Sequence, residues 1–146
     1  IALALLFAFT FITGLTIGKL IAIYIAAGAG GVVTQAFVTT AVVFGALTVY
    51  AMNTKTRFDS WGKPLFISLI AIIGLSLLNY FFFRSSMLDL AIAAFSALVF
   101  SMYIIYDTKN IINGTYTSPI MAAVDMYLNI YNLFLALLRI FGASRD

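Results

Sequence analysis

The titratable side chains that could do chemistry in this sequence are five carboxylates, and all five are Asp. The sequence has no Cys, no His and no Glu. Thiol nucleophiles, Ser-His-Asp triads, disulfides and metal sites built on His or Cys are therefore excluded. Proton or cation chemistry must use Asp, assisted by amides and hydroxyls.

Four polar residues near the C-terminus predict one face of a helix. Their spacings of four, three and seven residues place them within a narrow arc, formed by Asp125, Asn129, Asn132 and Arg139. A second set recurs at seven, seven and four residues, formed by Asp89, Ser96, Tyr103 and Asp107. We expect the two faces to turn toward each other or toward a shared cavity.

These polar residues have a functional and a structural interpretation. The structural one is that Asn, Ser and Tyr form interhelical hydrogen bonds, while Asp89 and Arg139 extend toward the ends of their helices. For Asp107 and Asp125 we favour the functional interpretation, because neither has a Lys or Arg three or four residues away on its own helix. If a metal binds, Asp107 is the expected ligand.

The elements that carry these residues are predicted to cross a membrane. Of the 146 residues, 64% are hydrophobic and 9% are charged, and a helix needs about 20 apolar residues to cross a bilayer. We predict an all-α integral membrane protein, a single domain with five spans at residues 1–26, 32–52, 65–83, 87–106 and 120–141. Gly14 and Gly18 are expected to form a helix-packing contact.

The cationic residues predict the topology. Lys55, Arg57, Lys63 and Lys109 fall on one side and Arg84 and Arg145 on the other, which places the loop 53–64 in the cytoplasm and the C-terminus outside. There is no dense basic cluster, so nucleic acid is not an expected partner. The bilayer is.

Several motifs together resemble the Bax inhibitor-1 family, also called TMBIM or lifeguard. The ending Ser144-Arg145-Asp146 is similar to its bacterial, YccA-like branch. The other motifs are residues 11–16, Phe44 to Ala51 with Thr54-Lys55, Tyr106-Asp107-Thr108, and Asn129 to Phe134 running into Leu138 to Gly142.

This resemblance implies a fold of seven transmembrane helices with a cytoplasmic N-terminus. The five spans would match its third to seventh helices, and the first two would be missing. Family members are described as pH-sensitive calcium leak channels, and the bacterial branch as a modulator of the membrane protease FtsH in the inner membrane. No cofactor is implied, and calcium enters only as the transported ion.

The family's pH sensor is a pair of Asp residues on its last two helices. Asp107 matches the first. The second normally lies in Tyr-Leu-Asp, where this sequence has Tyr127-Leu128-Asn129. Asp125 lies one turn earlier on the same face, about 6 Å away along the axis, and could partly replace it. We therefore predict Asp107, Asp125 and Asn129 as the gating residues, with Asn132, Tyr103, Ser96 and Asp89 lining the path.

Two alternatives stay open besides this non-enzymatic channel. An intramembrane aspartyl protease also uses Tyr-Asp and a second Asp, but its Gly-x-Gly-Asp motif is absent, since Ala122-Ala123-Val124 precede Asp125. An interaction subunit that restrains a larger membrane machine is compatible with every residue in the sequence.

Overall fold

The computed structural model describes residues 1–28, 30–55, 59–114 and 118–144. Five long helices account for nearly all of them: α1 (Ala2–Ala26), α2 (Gly30–Asn53), α3 (Gly62–Leu78), α4 (Ser86–Ile112) and α5 (Pro119–Ser144). A short 3₁₀ turn, Asp59–Trp61, precedes α3. Within the described ranges, five helical segments are long and apolar enough to cross a membrane. The predicted all-α membrane fold is confirmed.

The last two helices form the centre of the bundle. α5 packs most extensively against α4 and also contacts α2 and α1, whereas α3 packs mainly on α4. The largest fully buried side chains are Ile104 on α4 and Leu133 and Leu138 on α5. The outer helix faces are apolar and exposed, because they meet lipid instead of water.

Asn79 shapes the turn between α3 and α4. A π turn, Asn79–Phe83, follows α3, and the N–H of Arg84 donates to the Asn79 carbonyl. The buried Asn79 side chain also bonds both backbone groups of Ser85, at 2.9 and 3.2 Å. The backbone of Arg84 adopts the left-handed helical conformation, with φ of 48°. The Ser85 hydroxyl then accepts from the N–H of Leu88 and caps α4.

Two features differ from the sequence-based expectations. The helix α4 continues to Ile112, beyond Tyr106, where the predicted fourth span ends. The expected packing at Gly14 and Gly18 is not found among the described residues, because none of their atoms outside the local helix backbone lies within 4 Å of a Cβ placed at either glycine. The spacing alone gives close packing only where a second helix is present.

Candidate functional site

Asp107 and Asn129 meet at the contact between α4 and α5. The Asn129 Nδ2 donates a hydrogen bond of 2.6 Å to Asp107 Oδ2. Both residues are buried, with exposed fractions of 6% and 5%. A hydrogen bond to an ionised acceptor is about twice as strong as a neutral one. The two polar faces that the sequence predicts are thus in contact here.

A closely packed apolar layer holds this pair in place. Phe100, Ile104 and Leu133 form one buried cluster, which lies on the N-terminal side of Asp107 along α4. Thr108, next to Asp107, bonds its hydroxyl to the Ile104 carbonyl at 2.6 Å, so no polar partner outside the helix is needed.

The Asp107–Asn129 pair lies on a cavity of about 440 Å³ with both polar and apolar side chains in its lining, which we call the Asp107 cavity. Asp125 lines the same cavity, so the structure brings the three predicted gating residues together. Tyr103 and Asn132 also line it, and Asn132 Nδ2 donates to the Leu128 carbonyl of its own helix at 2.8 Å. Tyr106, which the sequence analysis names only as part of a family motif, and Asn110, which it does not name, complete the polar lining.

Ser96 lies elsewhere on the contact between α4 and α5, which we call the seam. It is buried on a second cavity of about 510 Å³, the Ser96 cavity, which Ser76, Asn132 and Arg139 also line. A third cavity of about 500 Å³ lies at the beginning of α4 and is lined by Arg84, Asp89 and Arg139. All of the predicted polar residues thus border one of three cavities along the contact of α4 with α5.

Asp89 and Arg139 form an ion pair across the seam. An Arg139 guanidinium nitrogen bonds Asp89 Oδ1 and also donates to the Asp89 carbonyl at 3.2 Å. The side chains are 34% exposed for Arg139 and 51% exposed for Asp89. Pairs this exposed contribute little to stability. The contact also shows that α5 runs antiparallel to α4, so the two ends of α5 lie at opposite ends of the bundle.

Contacts at the other end join the connector before α3 to α4. Lys109 Nζ donates to the Thr54 carbonyl at 2.8 Å, which ties the last turns of α4 to the segment after α2. A Cβ built on Gly62 would lie 2.5 Å from the Tyr106 hydroxyl, so only Gly fits beside that ring. Sequence reasoning missed both contacts, because neither has a periodic signal.

Among the residues that the structure describes, no three acidic side chains come together as a metal site. A cation in the Asp107 cavity would meet the carboxylates of Asp107 and Asp125, with amide and phenol oxygens around them. Oxygen ligands of this kind suit Ca²⁺ in a weak, partly hydrated site.

Within the part of the chain that the structure describes, five membrane-length helices, with a buried carboxylate between the last two, define a multi-pass membrane protein. The chain belongs to the Bax inhibitor-1 family, since the family model described as inhibitor of apoptosis-promoting Bax1 matches residues 1–146. This confirms the resemblance drawn from the motifs.

Bacterial relatives support the same assignment. The chain is 53% identical to an uncharacterised protein of Campylobacter jejuni over 139 residues, 94% of this chain and 60% of that protein. It is 40% identical to a Vibrio cholerae membrane protein over 141 residues, 96% of this chain and 63% of the other. It is 36% identical to Modulator of FtsH protease YccA of Escherichia coli K12 over 141 residues, 96% and 64% of the two chains. The chain thus spans about three-fifths of these relatives' length.

Proposed function

We propose that this protein is a cation leak path whose conductance depends on the charge of Asp107. The observation that carries the proposal is the buried contact of Asp107 with Asn129, on a cavity that Asp125 also lines. A buried carboxylate inside a membrane-spanning segment is costly and is therefore a functional candidate. The three cavities along the seam provide room for a hydrated ion.

The charge of Asp107 depends on the groups that face it. Tyr103 and Tyr106 flank it on α4, and Asn129 and Asp125 border the same cavity from α5. No charged residue of α2 or α3 lines the cavity among the described residues, and Lys109 is bonded to Thr54. An ionised Asp107 attracts cations into the cavity, and protonation removes that attraction. Leak is therefore present at higher pH and falls as pH falls.

We take Ca²⁺ as the ion. Asp107 and Asp125 supply two carboxylates to one cavity, and Ca²⁺ accepts carboxylate, amide and water oxygens in flexible geometry. A non-enzymatic role is favoured, because the side chain bonded to Asp107 is an amide, whereas aspartyl proteases use two carboxyls that share a proton.

Ca²⁺ flux from liposomes, measured against pH, tests the proposal. Asp107→Asn keeps the shape but removes the titratable group, so we expect a low flux without pH dependence and unchanged membrane insertion. Asp125→Asn should have a smaller effect. Asp59→Asn removes a carboxyl outside α4 and α5 and serves as the matched control. If the Asp107→Asn variant keeps an unchanged pH profile, the proposal that the charge of Asp107 controls the leak is wrong.

A second candidate function is modulation of a membrane-anchored AAA protease of the FtsH type. It is favoured by the likeness to Modulator of FtsH protease YccA of Escherichia coli, which is 36% identical. Copurification with FtsH in mild detergent, followed by degradation of a membrane substrate with and without this protein, would test it. A leak without any FtsH contact would leave only the first function.

We also propose a bacterial inner membrane location with the loop 53–64 in the cytoplasm. Lys55, Lys63 and Lys109 support it by the excess of cations on cytoplasmic sides. Arg57, Arg145 and Asp146 of the topology prediction lie outside the described residues. Single Cys residues at positions 55 and 84, in a chain with no other Cys, should be labelled from opposite sides.

A further inference from the structure

Three side chains line both the Asp107 cavity and the Ser96 cavity. They are Leu69 of α3, Phe100 of α4 and Asn132 of α5. On α4, the polar residues of the Asp107 cavity follow Phe100 in sequence, and Ser96 of the other cavity precedes it. The two cavities therefore meet at these three residues, where three helices converge.

The group that separates the cavities is mainly apolar. Phe100 is 7% exposed and packs in the cluster of Ile104 and Leu133, with Leu69 at its edge. Its ring centroid lies 6.0 Å from that of Tyr103. The amide NH₂ of Asn132 is engaged with its own helix. An apolar constriction between two cavities that each carry some polar side chains excludes water and ions by dewetting.

We propose that Phe100 and Leu69, beside Asn132, form the hydrophobic constriction that closes the ion path. This inference rests on the proposed cation leak and assigns a second determinant to it. Asp107 sets the charge of one cavity and therefore the pH dependence. Phe100 and Leu69 set whether that cavity connects to the Ser96 cavity, and therefore the size of the flux.

Water access across the constriction can be measured without any ion flux. The sequence has no Cys, so Ser96→Cys introduces a single thiol on the far side of Phe100. A small, charged methanethiosulfonate is added from the membrane side on which Lys109 lies. We expect no labelling while Phe100 is present and labelling once Phe100→Ala is added. Labelling with Phe100 intact, or none after Phe100→Ala, would overturn the constriction.

Ca²⁺ flux is the second measurement. We expect Phe100→Ala to raise flux at every pH on the order of tenfold, the factor that follows from lowering a barrier by about 1.4 kcal/mol. Phe95→Ala is the matched control, because Phe95 is on the same helix, is 42% exposed and lines neither cavity. Leu69→Ala tests the same constriction from α3 if Phe100→Ala does not fold.

The two measurements distinguish the two proposals. If the thiol labelling changes as expected but no variant conducts Ca²⁺ at any pH, the leak is wrong and the constriction stands. If flux depends on Asp107 and neither Phe100→Ala nor Leu69→Ala raises it, the constriction is wrong and the leak stands.

Discussion

Changing Asn129 to Asp would give this protein two adjoining carboxyls in its seam. In Asn129→Asp, an oxygen replaces an amide nitrogen that lies 2.6 Å from Asp107 Oδ2. Two carboxyl oxygens at that distance need a proton between them. With charges centred about 4 Å apart and an effective dielectric constant of about 20, ionising both costs about 4 kcal/mol. An energy of that size lowers the equilibrium constant for release of the second proton about a thousandfold.

The assay is Ca²⁺ flux from liposomes in small pH steps. We expect flux to rise with pH in the unchanged protein as Asp107 ionises. In Asn129→Asp the rise should continue to a pH about three units higher, because the thousandfold penalty on the second proton corresponds to three decades of proton concentration. The separation of the two profiles is the quantity to be measured.

An exchange of the two residues is the control. Asp107→Asn combined with Asn129→Asp keeps one carboxyl and one amide in contact, so its flux should rise over the same pH range as that of the unchanged protein. If Asn129→Asp alone also keeps that range, the two side chains do not share a proton, and the reasoning from their distance fails.

Three substitutions affect stability, measured by thermal unfolding in detergent. Arg139→Met breaks the pair with Asp89 and should cost no more than about 1 kcal/mol, because both side chains are a third or more exposed; a larger loss would show that the bilayer desolvates the pair. Gly62→Ala places a Cβ 2.5 Å from the Tyr106 hydroxyl and should cost about 1–3 kcal/mol. Adding Tyr106→Leu should restore the loss, and failure to do so would locate the strain elsewhere. Leu133→Ala, at a residue 1% exposed, should cost about 2–5 kcal/mol; a loss below that range would mean that the surrounding side chains fill the space.

The helices were predictable because hydropathy and length alone identify membrane spans. Their exact ends were not. The fourth span was expected to end at Tyr106, since Asp107 and Lys109 follow, but α4 continues to Ile112. Asn129 donates a hydrogen bond to the Asp107 carboxylate, and the Thr54 carbonyl accepts one from the Lys109 ammonium. Neither charged residue therefore ends the helix. Partners supplied by other segments cannot be read from a local window.

The polar faces of α4 and α5 were predictable from helical periodicity, but the pairs across them were not. Spacing shows which residues share a face and does not fix how far one helix slides along the other. The register became visible only in the contacts of Asp107 with Asn129 and of Asp89 with Arg139. The role of Phe100 was hidden for a different reason, since one buried aromatic residue among many has no signal in composition.

The π turn at Asn79–Phe83 has a consequence for comparing relatives by alignment. Its N–H groups bond five residues back instead of four, so this turn holds one residue more than an α-helical turn would. A relative lacking one residue here would close an ordinary α turn and keep α3 and α4 in place. We therefore expect a single-residue gap in this stretch to be tolerated, even though it falls inside a membrane-spanning segment, where a deletion is normally read as damage.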